Sequence, residues 1–294
     1  MLLPRLTTAL LIACCCAAWG AAPARIVSTA PSITEILFAL GLGSRVVGVT
    51  QYCRYPAEAQ SKPKIGTFLE PDLERILSLR PDLVLVINNP VHVAERLRQF
   101  GVRAENVKQD SIADILNSIA LIGRLADAGP QAARLAADIR SSLDAARRQA
   151  SGLPRRSVLF LVGRSPGTLQ GMVGAGPGTF LDELLRLAGG DNLLKDSPIA
   201  YPKVSLEQLL AADPEVILDM GDFAHAEGKP LEPSQQLLAL WSKYPRLRAV
   251  RSGGVRQVGE EIFIRPGPRV GQAALKLVRL IHGQETGGGG ARPR

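Results

Sequence analysis

One segment of the chain occurs twice, and each copy carries a glutamate that could act in recognition. Residues 73–85 and 206–218 both read Leu-Glu-x-x-Leu-x-x-x-Pro-acid-apolar-apolar-Leu. The pattern predicts a short helix that stops at a proline and leads into a buried strand. The repeat therefore places one carboxylate, Glu74 or Glu207, at the same position in each half of the chain.

These two glutamates have two explanations, and both stay open at the level of sequence. Asp72 and Ser205 are the predicted N-caps, so each glutamate is the second residue of its helix, where the helix dipole favours an acid by about 0.3–1 kcal/mol. The alternative is docking, in which each half presents its carboxylate at a rim to an arginine of a partner protein. A partner with two-fold symmetry would suit such a pair.

Residues suited to catalysis do not form a recognisable arrangement. The three histidines, His92, His225 and His282, have no second histidine, cysteine or carboxylate at a metal-ligand spacing. The glycines of residues 174–178 lack the Lys-Ser/Thr pair of a phosphate-binding loop. Without a paired base and nucleophile, we expect no enzyme activity, no catalytic residue and no metal site; an exported enzyme on the same scaffold is the remote alternative.

Strand and helix patterns alternate in each half of the chain. The run Leu83–Ile87 is apolar on both faces, which is typical of parallel strands covered by helices. Between the halves, residues 112–126 and 131–150 are helical patterns separated by Pro130, which suits the start of the second helix. We predict an α/β fold with two doubly wound lobes of mostly parallel sheet, joined by one long helix. The predicted limits are 25–128 for the first lobe, 130–151 for the connecting helix and 155–283 for the second lobe.

Local signals make four further structural predictions. Ser32 and Glu35 have the spacing of a capping box, and residues 179–182 resemble a second one. The glycine-rich segment Gly171–Gly178 is predicted to be a tight loop that lets the backbone approach a bulky ligand. Two helical aromatic residues, Phe38 and Phe180, are assigned to the core.

Loops that follow the predicted strands are the expected binding site, because ligands of open parallel sheets bind outside the carboxyl ends of the strands. Aromatic residues make up only 4% of the chain, yet these loops hold five of them: Tyr52, Tyr55, Phe68, Tyr201 and Phe223. Such rings could wall a cleft for a large flat ligand, or they could only fill the edges of the lobes. The candidate ligand-binding residues on these loops are Ser28, Pro31, Tyr52, Phe68, Asn88, Arg164, Gly176, Tyr201, Asp222, Phe223 and Arg265.

The first 22 residues are predicted to be an export signal. A charged start is followed by the apolar core Leu6–Ala13, which is too short to span a bilayer, and by small residues through Ala22. The alternative is a lipoprotein signal with Cys14 as the acylated residue. We therefore expect a periplasmic protein, with a lipid tether at Cys14 as the alternative to a free one. Its one remaining cysteine, Cys53, excludes an intramolecular disulfide and is interpreted as a partly buried small residue.

The formal charge of +8 comes from scattered basic residues, so no nucleic-acid partner is expected. Residues 284–294 are rich in glycine and arginine and are predicted to form a disordered tail.

Several motifs resemble one family, the cobalamin-binding proteins of the periplasmic ABC-importer type. The resemblance covers about residues 25–283 and extends to the wider group that captures haem and chelated iron. In the first half it lies in Arg-Ile-Val-Ser-Thr-Ala-Pro-Ser-Ile-Thr-Glu of residues 25–35, Val47–Thr50, Tyr52–Pro56 and Leu69–Glu74. In the second half it lies in Gly176–Phe180, Ala188–Asn192, Tyr201–Ser205 and Arg265–Arg269.

The resemblance implies an arrangement like that of class III periplasmic binding proteins, with two lobes on a rigid backbone helix and limited closure on the ligand. It also implies a corrin-binding cleft near Tyr52, Phe68 and Tyr201, and contacts of Glu74 and Glu207 with basic residues of an ABC importer permease. No intrinsic cofactor is implied, because the corrinoid is cargo.

One departure from the family keeps haem or a ferric siderophore open as the alternative ligand. Some cobalamin binders carry tryptophan at the positions that match Phe68 and Tyr201. A haem binder would need an axial ligand to iron, for which Tyr52 or His225 could be offered, although neither has an evident activating partner.

Overall fold

The computed structural model describes residues 22–87, 92–222 and 233–283. The strands are β1 Ile26–Ser28, β2 Val46–Val49, β3 Leu83–Ile87, β4 Ala104–Val107, β5 Arg156–Gly163, β6 Met172–Gly174, β7 Gly190–Asn192, β8 Lys203–Val204, β9 Val216–Asp219 and β10 Val255–Gln257. The helices are α1 Pro31–Ala39, α2 Leu73–Ser78, α3 Val93–Gln99, α4 Ile112–Leu125, α5 Gly129–Ala150, α6 Phe180–Leu187, α7 Leu206–Ala212, α8 Ser234–Trp241, α9 Arg248–Arg251 and α10 Val270–His282.

The first lobe is built on a four-stranded sheet in the order β2-β1-β3-β4, with every pair parallel. Its central strand β3 is apolar and buried along its length up to Val86, which is why helices cover both of its faces. One face packs against α1 and α4, and the other packs against α2 and α3. The predicted doubly wound lobe is therefore confirmed for the first half.

The second lobe has its own sheet, in the order β10-β9-β5-β6-β8, with β7 also paired to β5. Strands β10, β9, β5 and β7 are parallel, whereas β6 runs antiparallel to both β5 and β8. This sheet is therefore mixed. The segment Gly171–Gly178, predicted to be a loop throughout, contains β6, because Met172 is buried in the second lobe's core.

The helix α5 joins the two lobes and is 22 residues long, about 33 Å at the rise of an α-helix. Its buried stripe of Ala132, Ala136, Ile139, Leu143, Ala146 and Ala150 repeats every three or four residues. Two glycines let other helices approach it closely. A Cβ atom on Gly123 of α4 would lie 2.4 Å from Ala132, and one on Gly271 of α10 would lie 2.5 Å from Ser142. The helix is thus packed tightly against both halves, while the exact lobe limits stay a prediction.

The capping box at Ser32 and Glu35 is a wrong prediction. Helix α1 begins two residues earlier than that box requires, with Pro31 at its start and Ala30 as an N-cap without a side-chain hydrogen bond. Proline is favoured there because its fixed φ suits the first turn and its missing N–H leaves no donor unsatisfied. Ser32 and Glu35 therefore lie inside the helix, and both turn towards partners outside it. In contrast, Thr179 does cap α6, accepting a hydrogen bond from the Asp182 N–H.

None of the helices in the described part of the chain combines the length and the apolar character that crossing a bilayer requires.

Candidate functional site

Residues from both lobes line one pocket of about 230 Å³, at the edges where the parallel strands end. The first lobe contributes Ile87 at the end of β3, with Gln109 and Asp110 just after β4. The second lobe contributes an apolar wall. That wall consists of Val162, Phe180, Leu181, Phe263, Ile264 and Pro266, with Tyr201 beside it. The pocket is mostly apolar with a few polar groups, which is the usual composition of a small-molecule site.

Gln109 is the most enclosed polar side chain of this pocket. It is 4% exposed, and its Oε1 atom accepts a hydrogen bond of 2.6 Å from the Ser32 hydroxyl of α1. Its Nε2 atom is buried and has no hydrogen-bond partner among the described residues. Arg265, next to the lining residues Ile264 and Pro266, likewise has a buried Nε atom without a partner, while its Nη2 donates to Glu261 at 3.1 Å.

Tyr201 stands at the mouth of the pocket. The residue is 48% exposed overall. Burial of its hydroxyl end raises the pKa of Tyr201, and the negative charge of Asp110 raises it further. The hydroxyl therefore stays neutral, and the exposed ring offers an aromatic face to a ligand.

A buried ion pair ties the two lobes together next to the pocket. The Glu35 carboxylate of α1, 1% exposed, accepts two hydrogen bonds of 2.6 and 2.8 Å from Arg269, at the start of α10. The guanidinium of Arg269 also lies 4.1 Å from the centre of the Tyr55 ring. A second tie is the 2.8 Å hydrogen bond from the Ile112 N–H of α4 to the Glu183 carboxylate of α6. Both ties resist separation of the lobes.

The Glu35 pair gives the protein a pH dependence whose sign can be worked out. Burial raises the pKa of the Glu35 carboxyl above its ordinary value, and the hydrogen bonds and charge of Arg269 only partly offset that rise. A carboxyl with a raised folded-state pKa binds its proton more tightly in the folded state. Its contribution to stability is therefore complete below the unfolded pKa and is lost as the pH rises through the folded pKa.

We expect the wild type to gain stability relative to Glu35→Gln when the pH is lowered from 7 to 4. The unfolding free energy of the wild type minus that of Glu35→Gln should therefore be larger at pH 4 than at pH 7. Urea titrations of both proteins at the two pH values measure it. An opposite trend would show that the attraction of Arg269 outweighs burial.

Three of the predicted ligand-binding residues lie beneath the cleft surface. The Ser28 hydroxyl is fully buried and bonds to Ala30 O and Thr34 Oγ1. Arg164 is also fully buried, in an ion pair with Asp219 at 3.1 Å, so we assign it a positioning role in place of the predicted contact. Gly176 is needed for backbone packing, because a Cβ atom there would lie 2.8 Å from the Ile199 carbonyl oxygen. The close approach made by this glycine is therefore to the chain itself.

The remaining predicted ligand-binding residues are only partly gathered by the structure. Among the described candidates, Tyr201 alone lines the 230 Å³ pocket. Pro31 starts α1, and Tyr52 and Phe68 are half-buried on loops at the same edge of the first sheet. Asp222 is half-buried and bridges to Arg164 through the backbone. The other candidates, Asn88, Phe223 and His225, lie outside the described residues, as do Cys14, the signal and the tail.

Glu74 and Glu207 are exposed second residues of α2 and α7, as predicted. Asp72 caps the first helix through the Arg75 N–H, and Ser205 forms a capping box with Gln208 in the second. Hydrogen bonds from its own backbone N–H and from Ser205 lower the pKa of Glu207. Neither glutamate forms a salt bridge within the described residues, so both charges face solvent.

Both glutamates also lie at the strand-end edge of their sheet. In the first lobe, the start of α2 lies beside the end of β2. The Asp72 N–H, just before α2, donates to Ile65 O, and the neighbouring Lys64 forms a bridge with Val49, the last residue of β2. In the second lobe, α7 follows β8. Val204 of β8 pairs with Met172, at the start of β6. The start of β6 in turn pairs with Gly163, the last residue of β5. The two carboxylates are therefore on the same side of their lobes as the pocket.

The segment Gly163-Arg164-Ser165-Pro166-Gly167 matches the letters of a Gly-x-Ser-x-Gly nucleophile elbow. An elbow requires a strand that turns into a helix. Here β5 turns instead into the antiparallel strand β6, and the Ser165 N–H donates to Gln170 O. Groups of three or more metal-binding side chains are also absent from the described residues.

Sequence reasoning missed Gln109, Asp110 and the wall residues Val162 and Phe263, and it assigned Phe180 only to the core. Phe180 is 4% exposed and does belong to the core, but its ring also faces the pocket. Gln109 and Asp110 could have been found from their position just after a strand. That strand, β4, was not recognised because its sequence Ala-Glu-Asn-Val is too polar to resemble a buried strand.

Comparisons with known proteins agree with this geometry. The family described as "Periplasmic binding protein" matches residues 26–261. A vitamin B12-binding protein of Vibrio cholerae serotype O1 is 31% identical over 262 residues, covering 87% of this chain and 88% of the relative. A vitamin B12-binding protein of Photorhabdus laumondii is 30% identical over 271 residues and covers 89% of each chain.

Solved structures of similar fold come from both B12-binding and haem-binding proteins. The periplasmic vitamin B12-binding protein of Vibrio cholerae superposes with a TM-score of 0.72 at 27% identity, over 88% of this chain and 96% of that one. The periplasmic haem-binding protein of Roseiflexus sp. RS-1 gives a TM-score of 0.74 at 30% identity, over 88% and 98%. The fold alone therefore does not separate the two kinds of ligand.

Proposed function

The chain belongs to the periplasmic binding protein family, and on that premise we propose that it captures a cobalamin-like corrinoid between its lobes and delivers it to an ABC importer. The observation that carries the proposal is the pocket shared by both lobes, with an apolar wall and few polar groups. At about 230 Å³ this pocket would take only one edge of a corrinoid. The names of the relatives that align over nearly the whole chain support the corrinoid as ligand.

Haem is the second candidate, because a haem-binding structure is as similar as the B12-binding one. Haem iron bound by tyrosine requires an oxygen that gives up its proton readily. Tyr201 is the one tyrosine or histidine that lines the pocket within the described residues, and its pKa is raised. The relatives that align at 30–31% identity over nearly the whole chain are named for vitamin B12, so the corrinoid is the first candidate.

Calorimetric titration of the purified protein with cyanocobalamin and, separately, with haemin tests the choice. We expect one corrinoid per chain with a Kd below about 1 μM, and weaker binding of haemin. No heat and no change of the corrinoid absorption spectrum at tens of micromolar ligand would remove the proposal. A Soret band on haemin addition with tighter binding than cyanocobalamin would favour the second candidate.

Tyr201→Ala should weaken corrinoid binding roughly tenfold, because a half-exposed ring at the pocket mouth contributes about 1–2 kcal/mol of contact and stacking. Phe100→Ala is the matched control. Its ring is 64% exposed at the end of α3, before β4 and so at the opposite edge of the sheet. Equal Kd values for Tyr201→Ala and the wild type would place the ligand elsewhere.

Delivery is proposed to use Glu74 and Glu207, one on each lobe, as contacts for arginines of the permease dimer. Their exposure, their lack of salt-bridge partners in the described chain and their position at the strand-end edges support this role. The packed helix α5 and the Glu35–Arg269 pair support limited closure, which would keep the spacing of the two carboxylates nearly constant.

The family acts outside the cytoplasm. Export by the signal in residues 1–22 fits this location, and acylation of Cys14 is proposed as the alternative to signal cleavage near Ala22.

A further inference from the structure

Gln109 lines the pocket and has a buried amide nitrogen without a hydrogen-bond partner among the described residues, and this is the starting point of the inference. The side chain is 4% exposed, and the Ser32 hydroxyl, itself on a residue that is 3% exposed, occupies its Oε1 atom at 2.6 Å. The amide nitrogen is left buried without a partner among the described residues, in a residue that lines the pocket. Buried polar groups are almost always paired, so this donor calls for an acceptor on the ligand.

The next residue, Asp110, supplies the opposite kind of group. It lines the same pocket, and its carboxylate is largely exposed, with the Lys108 Nζ atom 3.8 Å away. An ionised carboxylate can only accept hydrogen bonds. Adjacent residues of one loop thus offer the ligand one donor and one acceptor.

A primary carboxamide is the group that complements this pair, since its carbonyl accepts and its NH₂ donates. A carboxylate on the ligand could accept from Gln109 but would have nothing to donate to Asp110, and its charge would be repelled. A corrinoid carries primary carboxamides around its ring, whereas haem carries propionate carboxylates.

Resting on the proposed function, we infer that Gln109 and Asp110 form a carboxamide-recognition pair that selects amide-bearing corrinoids over carboxylate-bearing tetrapyrroles. Ser32 is the positioning residue, because its hydrogen bond to Oε1 fixes the orientation of the Gln109 amide and leaves the nitrogen for the ligand. Gln109 is buried at this pocket, so a ligand group that cannot accept a hydrogen bond from its amide leaves that donor unpaired at a cost. Specificity of this kind depends more on the group that is rejected than on the strength of the accepted contact.

The test compares Kd values for cyanocobalamin and for its derivatives in which a peripheral amide has been hydrolysed to a carboxylate. The proteins are the wild type, Gln109→Leu, Asp110→Asn and the control Gln99→Leu, which makes the same change at an exposed position of α3 in the same lobe. Melting temperatures of all four proteins report whether folding is intact.

We expect the wild type to bind the amide form at least about tenfold more tightly than one of the carboxylate derivatives. Gln109→Leu should lose about tenfold for cyanocobalamin, while Gln99→Leu should not change. Asp110→Asn should reduce the preference for the amide form by improving the binding of that same carboxylate derivative. In this variant the ligand's carboxylate no longer meets the negative charge of Asp110.

The outcomes separate this inference from the proposed function. If the wild type binds cyanocobalamin and Gln109→Leu binds it equally well, the recognition pair is wrong and the proposed function stands. If Asp110→Asn leaves the preference for the amide form unchanged, Asp110 has no part in selection. If Gln109→Leu does not fold, the Asp110→Asn result decides, because that side chain is largely exposed. If the wild type binds no corrinoid, both proposals fail.

Discussion

Asp219→Ala should lower the free energy of unfolding by about 3–5 kcal/mol, because it removes one partner of a fully buried ion pair. Asp219 and Arg164 are both fully buried, with 3.1 Å between Oδ2 and Nε. The same Oδ2 atom accepts a 2.8 Å hydrogen bond from the Trp241 indole, and Oδ1 accepts one of 2.8 Å from the Gly221 N–H. One carboxylate thus accepts hydrogen bonds from three buried groups, and each of them loses this acceptor in the variant.

The effect should extend to the cleft, because this carboxylate joins three segments. Arg164 starts the loop after β5, Gly221 follows β9, and Trp241 ends α8. We therefore expect weaker corrinoid binding in Asp219→Ala even under conditions where the variant is folded.

Urea denaturation measures the change, and Asp144→Ala is the matched control. Asp144 pairs with Arg147 at 3.0 Å on the exposed face of α5, with half of its side chain open to solvent. Surface pairs of this kind contribute little, so the control should stay within about 0.5 kcal/mol of the wild type. A loss below about 1 kcal/mol in Asp219→Ala would contradict the account, since breaking a buried pair costs more than that.

The second large effect should fall on transport and leave ligand binding intact. Glu74→Ala combined with Glu207→Ala should lower the affinity for the permease about 100-fold, taking about 1.5 kcal/mol for each close charge pair across the interface. Charge reversal by Glu74→Lys with Glu207→Lys should reduce the affinity further, because each introduced lysine would repel an arginine of the permease. Uptake of labelled corrinoid by permease in liposomes, at binding-protein concentrations below saturation, measures the loss.

The control removes the same number of acids, one from each lobe, at the opposite edges of the sheets. Glu105→Ala with Asp191→Ala meets this condition, since Glu105 is near the start of β4 and Asp191 lies on β7 beside the start of β5. The control should transport as the wild type does. If Glu74→Ala with Glu207→Ala instead abolished corrinoid binding in solution, the docking role would be wrong.

Much of the architecture could be predicted because it depends on local patterns. The repeated helix–proline–strand unit predicted one sheet per half, and the apolar stripe of α5 predicted the connecting helix. The polar edge strand β4 carries no such pattern. Its absence from the prediction hid the loop that follows it, and with it Gln109 and Asp110.

The long-range pairs of the site could not be predicted from sequence, because no local signal connects their partners. Glu35 and Arg269 are 234 residues apart, and the nearer Ser32 suggested a capping box to Glu35 that does not form. Likewise, Arg164 was predicted to contact ligand because it follows a strand, but Asp219, 55 residues away, holds its side chain in the interior. Tertiary pairing overrode the local interpretation in both cases.

The measurement that tests the central claim most directly is mass spectrometry of the small molecule that co-purifies with the native, exported protein. The account predicts a single corrinoid per chain, released on denaturation and recovered in lower yield from Tyr201→Ala purified in parallel. Recovery of haem or a ferric siderophore in its place, bound with the same stoichiometry, would contradict it.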